Sequence, residues 1–264
     1  MTERSAILIR RVLVAVRPMD RPDEVIDIAT RLAAAFEAEL SGHFVKDRDL
    51  INFAALSFTR RIDMKTGALE TLDIDMMEQA LANYADAARR LLEARAAAHR
   101  LQWSFETITA PVLEALSGLC QAPGLVVATL DSDRHLPIFE RHLAELVDSV
   151  PATSPVLLLR TGQPIDGPVV ATADERALAY ADRLAQEFRL PLIVLVRSNA
   201  EQAKVTEQAL GLTTTLRIEP TEAGGTRLLS VFGCGLLVIG RHDIADYAGL
   251  AEQTGCHIFL TDEA

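Results

Sequence analysis

The sequence predicts an α/β protein of two tandem Rossmann-like units, each a five-stranded parallel sheet flanked by helices, the second shortened. Three observations carry this. Short runs rich in Val, Leu and Ile alternate with amphipathic stretches of helical period. Hydrophobic residues make up 49% of the chain but aromatic residues only 5%, a composition suited to strands covered by helices on both faces rather than to an antiparallel sandwich. After Thr161–Gly167, TGQPIDG, the pattern restarts in shorter form. The 264 residues are enough for two ordinary domains, placed at 1–161 and 166–264.

Arg11–Val16 is the first strand and Arg17–Pro22 a loop. Asp23 is placed to cap the next helix, on which Val25, Ile28, Ala29, Leu32 and Phe36 form a stripe. Leu40–Val45 is the second strand. Asn52–Thr71 reads as a long irregular insertion anchored by Phe53, Leu56 and Phe58, and such stretches are usually functional or interfacial. Asp75–Arg100 is a long helix with Met77, Leu81, Tyr84, Ala88, Leu91 and Arg95 in line, its Ala-rich end strongly helix-forming. Trp103–Ile108 is the third strand and Pro111–Cys120 a short helix. Gly124–Arg160 then reads strand, loop, helix, strand. Leu125–Leu130 is apolar, Asp131–His135 polar, and Phe139, Leu143, Leu146, Val147 and Val150 share a helical face. Val156–Leu159 is an edge strand that must be covered or paired.

In the second unit Pro168–Ala173, Leu192–Val196, Thr213–Ile218, Leu236–Ile239 and Ile258–Leu260 are strands. Asp174 caps a helix burying Leu178, Ala181, Leu184, Ala185 and Phe188; Ala200–Leu210 and Gly224–Phe232 are further helices. The repeat is too long for a solenoid array.

The net charge of −11 argues against the basic surface that non-specific nucleic-acid or anionic-membrane binding requires. Cys120, Cys234 and Cys256 are odd in number, widely spaced and lack a Cys-x-x-Cys pair, as expected of reduced thiols in a cytoplasmic protein. The N-terminal MTERSAILIRRVLVAV carries Glu3 and is broken by Arg10 and Arg11, unlike a signal peptide or membrane span.

RVLVAV, EVIDIATRLAAAFEAELSGHFV, the long helix, PVLEAL, GLVVATL and SPVLLLR together resemble the universal stress protein family over most of Arg11–Arg160 and, less fully, Pro168–Leu260. The resemblance implies an αβ sandwich, common in tandem form, that often dimerises through its last strand. In ATP-binding members it implies Gly-x2-Gly-x9-Gly-[Ser/Thr] after the fourth strand and an acidic residue after the first. On that pattern Ala128 and Asp131 stand at the first two glycines, Arg141 and His142 at the last pair, and Arg17 at the acidic position, with Val45 in the same cleft. In the second unit Gly240 keeps the first glycine and His242 a position often held by His, but Asp243 replaces the second glycine. Neither unit keeps the motif.

Glycines let phosphate approach backbone amides where a Cβ would intrude. A carboxylate such as Asp131 there repels phosphate by roughly 4 kcal/mol at ~4 Å and an effective dielectric of about 20, on the order of a thousandfold in affinity. The expectation is a non-catalytic regulatory or protein-interaction module without a cofactor, forming a two-fold homodimer. The alternatives are a sensor holding ATP or AMP, with magnesium, or another small anion in the first-unit cleft, and a nucleotide hydrolase.

Other candidate chemistry weighs less. Asp131-x-Asp133-x-His135, with His142 beyond, offers donors for a divalent ion, but no second ligand pair has diagnostic spacing and a capping loop is preferred. Arg241-His242-Asp243 has residue types for acid–base work and reads as a surface turn. Arg17, Lys46, Arg48 and Arg134 either gather at one sheet edge as an anion site or pair with Asp20, Asp47 and Asp49. Thr226 and Ser230, after Gly224-Gly225, read as a flexible loop rather than a phosphate-binding helix start. No Gly-x-Ser-x-Gly, His-Glu-x-x-His or Walker loop is present.

Overall fold

The computed structural model describes residues 9–18, 20–56, 60–62, 67, 69–71, 74–130, 153–196, 213–217, 234–244, 247 and 254–262. The first half holds β1 (Arg11–Val16), α1 (Pro22–Ala35), β2 (Glu39–Asp47), α2 (Arg48–Ala54), β3 (Arg60–Ile62), β4 (Leu69–Thr71), α3 (Ile74–His99), β5 (Trp103–Ala110), α4 (Val112–Cys120), β6 (Leu125–Leu130) and β7 (Val156–Arg160). The second holds β8 (Val169–Thr172), α5 (Glu175–Phe188), β9 (Leu192–Val196), β10 (Thr213–Arg217), β11 (Leu236–Ile239), a 3-10 turn over Arg241–Asp243, and β12 (His257–Leu260).

The sequence predicts two separate parallel sheets. Ten of the twelve described strands instead form one mixed, mainly parallel sheet in the order β10-β9-β8-β11-β12-β7-β6-β1-β2-β5. The reason lies in β7. Its VLLLR is buried throughout and would leave an apolar edge if unpaired, so β12 runs antiparallel beside it, Leu158 opposite Ile258 and Val156 opposite Leu260. All the other neighbours in this sheet are parallel.

Alternate strand residues feed two cores, one per face. One face packs α1, α3 and α5 over Val12, Val14, Phe44, Leu157 and Phe259; the other packs α4 over Leu13, Val45, Leu158 and Ile258. Both layers run across the β7–β12 seam. Above it α1 and α5 meet through a repeated hexapeptide, RLAAAF at Arg31–Phe36 and RLAQEF at Arg183–Phe188. Arg31 lies over the Phe188 ring at 4.6 Å and Arg183 over the Phe36 ring at 5.8 Å. Arg31 also donates to the Glu187 carbonyl, and Arg183 to the Ala35 carbonyl. Each half thus makes the same contact on the other, the mark of a pseudo-two-fold axis.

Several local expectations are corrected. Asp23 does not cap α1: Arg21 holds the cap position without a side-chain capping hydrogen bond, and Pro22 starts the helix. The buried line of α3 is Leu81, Ala85, Ala88, Leu92 and Ala96, while Tyr84 is 55% exposed. Small residues face inward because the helix sits close on β2, where a Cβ on Gly42 would come within 2.5 Å of Leu92. The insertion is not irregular throughout: it takes in the end of α2 and an antiparallel β3–β4 pair. Leu56 is exposed rather than an anchor. Phe58, the predicted helix over Phe139–Val150, and those over Ala200–Leu210 and Gly224–Phe232 lie outside the described residues. Among the described residues, no helix is long and apolar enough to cross a membrane.

Candidate functional site

In an open parallel sheet, ligands collect beyond the C-terminal strand ends where the strand order reverses. From β1 the chain passes to β2 and β5 on one side and returns to β6 on the other, so the first-half crevice opens between the ends of β1 and β6. Three side chains close it. The Arg17 backbone amide donates to Asp20 Oδ2 at 2.7 Å. The Arg17 guanidinium reaches Asp20 Oδ1 at 2.9 Å and Thr129 Oγ1 at 3.0 Å. The Thr129 hydroxyl in turn donates to Asp20 Oδ1. The Asp20 side chain is 1% exposed and that of Arg17 16%. A carboxylate this buried is tolerated because it is paired and hydrogen-bonded, and the group forms a charge-neutral lock from β1 to β6.

Beside the lock lies a narrow cleft lined by Arg21, Glu24, Ile28, Thr129, Arg160 and His257 among others, with a cavity volume of about 10 Å³, room for about one water molecule. The N-terminus of α1 faces it, but its first turn carries Asp23 and Glu24. Glu24 already accepts the Gly162 amide at 3.0 Å. Helix N-termini attract anions, and carboxylates already there oppose a phosphate. The described residues at this corner do not suit a nucleotide triphosphate.

Val45 and Ala128 are buried in the second core layer, at 0% and 2% exposure. Asp131, Arg141 and His142 lie outside the described residues, as do Asp133, Arg134, His135, Thr226 and Ser230. Arg17 and Arg48 do not share an anion site: Arg17 is held in the lock, and Arg48 pairs with Glu114 at 3.2 Å. In the second half, a Cβ on Gly240 would meet the His242 ring at 2.6 Å, so this glycine accommodates the protein's own imidazole. The reading of Arg241–Asp243 as a surface turn holds only for His242. Arg241 and Asp243 are buried, and Arg241 donates across the seam to the Ser154 carbonyl at 2.9 Å.

Sequence reasoning missed a polar ladder on β2 and β5. Ser41 Oγ is 3.0 Å from His43 Nε2 and 2.9 Å from Ser104 Oγ, and His43 Nδ1 is 2.8 Å from Glu106 Oε1. Burial lowers the His43 pKa, against the opposing pull of Glu106. The order hydroxyl, imidazole, carboxylate is that of a nucleophile with its base and orienting acid. However, Ser41 sits mid-strand with β1 and β5 on either side, so the ladders take up the amides that an oxyanion hole would need. The signal was a Ser-x-His on one strand opposite a Ser-x-Glu on the other, legible only once their register is known.

A second polar knot ties the end of β12 to α5. Arg176 holds Asp262 through both guanidinium Nε, at 3.0 Å, and Nη2, and the Tyr180 hydroxyl donates to the same carboxylate at 3.0 Å. Burial and then Asp262 raise the Tyr180 pKa, so this phenol stays protonated. At the seam, His257 Nδ1 accepts the Arg160 amide at 3.0 Å. Burial pushes the His257 pKa down, against the facing Pro164 and Gln163 carbonyls and Asp166. Among the described residues, no group of three His, Cys, Asp or Glu is placed to hold a metal ion.

No protein-family model matches the chain, and no curated protein matches it in sequence. Solved structures do match. A universal stress protein from Archaeoglobus fulgidus DSM 4304 superposes with a TM-score of 0.57 at 12% identity, covering 96% of both chains. A putative universal stress protein from Pseudomonas aeruginosa UCBPP-PA14 gives 0.58 at 16% identity, covering 96% of this chain and 93% of that one. A functionally unknown protein from Pseudomonas aeruginosa PAO1 gives 0.57 at 16%, covering 96% and 92%. At such identities the likeness concerns backbone architecture, and over nearly its whole length this chain has the universal stress protein fold.

Proposed function

We propose that this is a tandem universal stress protein-like chain whose first-half nucleotide corner is closed, and that it acts without catalysis, through protein contacts. The observation that supports this reading most is the Arg17–Asp20–Thr129 lock between the ends of β1 and β6, where a phosphate-binding member would hold its ligand. Opening it would expose a carboxylate now 1% accessible, and the incoming phosphates would meet Asp23 and Glu24 in the first turn of α1. The Ser41–His43–Glu106 ladder serves as cross-strand support, and the protein is not an enzyme on this reading. Because β12 takes the β7 edge within one chain, a homodimer forms through another surface.

The test is a thermal-shift titration with ATP, AMP and a cyclic nucleotide, each with and without magnesium. The expected result is no saturable change in melting temperature. A saturable rise with any of them would overturn the closed-corner reading in favour of a nucleotide sensor. Phosphate release from ATP above background would establish a hydrolase instead.

A further inference from the structure

We propose that Cys234 and Cys256 form a redox pair, a modification site that a peroxide closes into an intramolecular disulfide. The two cysteines lead into neighbouring parallel strands: β11 begins at Leu236, opposite His257 of β12. The His257 amide bonds the Gly235 carbonyl at 3.2 Å, so the residues just before each strand lie side by side. The two thiols are near enough to shift each other's pKa, and Thr254 Oγ1 donates to the Cys256 sulfur at 3.1 Å. The Cys256 carbonyl accepts Arg160 Nε at 3.0 Å, which fixes the backbone at this end of the seam. Adjacent strands lie about 4.8 Å apart, which puts residues at these neighbouring strand starts in the range a disulfide spans, with Cα atoms about 4.4–6.8 Å apart.

The pair is chemically graded. Cys234, helped by Thr254 and Arg160, draws the Cys256 pKa down against burial, while that of Cys234 goes up. Cys256 is therefore the attacking sulfur and Cys234 the resolving one. Cys256 is buried and Cys234 partly exposed, so a peroxide reaches the pair from the Cys234 side. The Cys256 sulfur attacks one peroxide oxygen, the O–O bond breaks, and the departing hydroxide takes the thiol proton as water. The Cys234 sulfur then attacks the Cys256 sulfenic acid, the S–O bond breaks, and a second water leaves as the S–S bond forms. The two thiols supply two electrons and hydrogen peroxide is reduced to water. Cys120 provides an internal control, since burial pushes its pKa up to about 12.

The experiment treats the full folded chain with hydrogen peroxide, quenches and denatures it, labels free thiols with a maleimide and reads each cysteine by mass spectrometry. Cys234 and Cys256 should lose label together while the intact monomer loses the mass of two hydrogens, and dithiothreitol should restore both. Cys120 should keep its label, since a pKa pushed up to about 12 leaves it on the order of a thousandfold less thiolate than a thiol held below the ordinary 9.0. In Cys234→Ala, Cys256 should stop at the sulfenic acid and be captured by dimedone. Equal loss of label at all three cysteines, no loss at Cys234 and Cys256, or cross-links only between molecules would overturn the proposal. The wild-type labelling pattern decides it even if the variant fails to fold.

Discussion

In the first half, the turn after the opening strand buries an arginine–aspartate pair that bridges to the fourth strand of that half's sheet, Arg17 and Asp20 reaching Thr129 of β6. In the second half the equivalent turn holds Asp174, which caps α5 by accepting the Ala177 amide at 2.9 Å. The tie between last strand and first helix also differs. It is Glu24 on the Gly162 amide in one half and a forked Arg176–Asp262 pair with Tyr180 in the other. One backbone plan thus carries two sets of polar contacts. The sheet dictates where a crevice opens, and a few side chains at strand ends decide whether it can hold a ligand.

Removing one arginine from each half tests that difference. Arg17→Ala should cost about 3 kcal/mol in denaturant unfolding, because it strands a buried aspartate without its counter-charge. Arg176→Ala should cost only about 1 kcal/mol, because Arg176 is 33% exposed and solvent screens what remains. Equal losses, or the reverse order, would mean that the first-half lock does not carry the energy its burial implies.

Much of this architecture was legible in the sequence and the lock was not, for a physical reason. Runs such as RVLVAV and LIVLV report burial on both faces whatever they pack against, so strand identity needs no partner. Asp174 as a helix cap was likewise visible, because capping is local. The Arg17–Thr129 contact joins residues far apart in the chain, and only strand order brings them together. The edge strand at Val156–Leu159 announced that it needed a neighbour. The register with Ile258–Leu260 had to come from the fold. The stripe on α3 was misplaced because hydrophobicity points to Tyr84 and Leu91, whereas close packing on Gly42 selects Ala85, Ala88 and Leu92. Asp131, Arg141 and His142 remain testable through the nucleotide titration alone.

The two halves also differ in their buried histidines, His43 on β2 and His257 on β12. Both have pKa values lowered by burial. On acidification the unfolded chain takes up the proton first, near the ordinary value of about 6.5. Each histidine's contribution is therefore fully present above that pH and is lost as pH falls from there through the lower folded-state pKa, with a slope of at most about 1.4 kcal/mol per pH unit. His257→Asn should flatten the acid limb of a stability–pH profile. His43→Asn should flatten it less, since Glu106 beside its ring offsets part of the burial. A steeper acid limb in either variant would contradict the neutral state assigned to that histidine.

The smallest expected effect concerns what the halves share. Arg31 over Phe188 and Arg183 over Phe36 are the same contact made twice across the seam. Stacks at partly exposed positions are worth about 0.5–1 kcal/mol each, so Arg31→Ala and Arg183→Ala should each lose that much. Arg31 has the closer approach and an added ion pair with Glu187 at 3.6 Å, which puts its loss at the upper end. The two sites share no residue, so the double variant should lose the sum if the halves stay docked through β7 and β12. A double loss well beyond the sum would mean that the helices, not the strands, hold the two halves together. The seam would then be a helix interface with the antiparallel strand pair as its consequence.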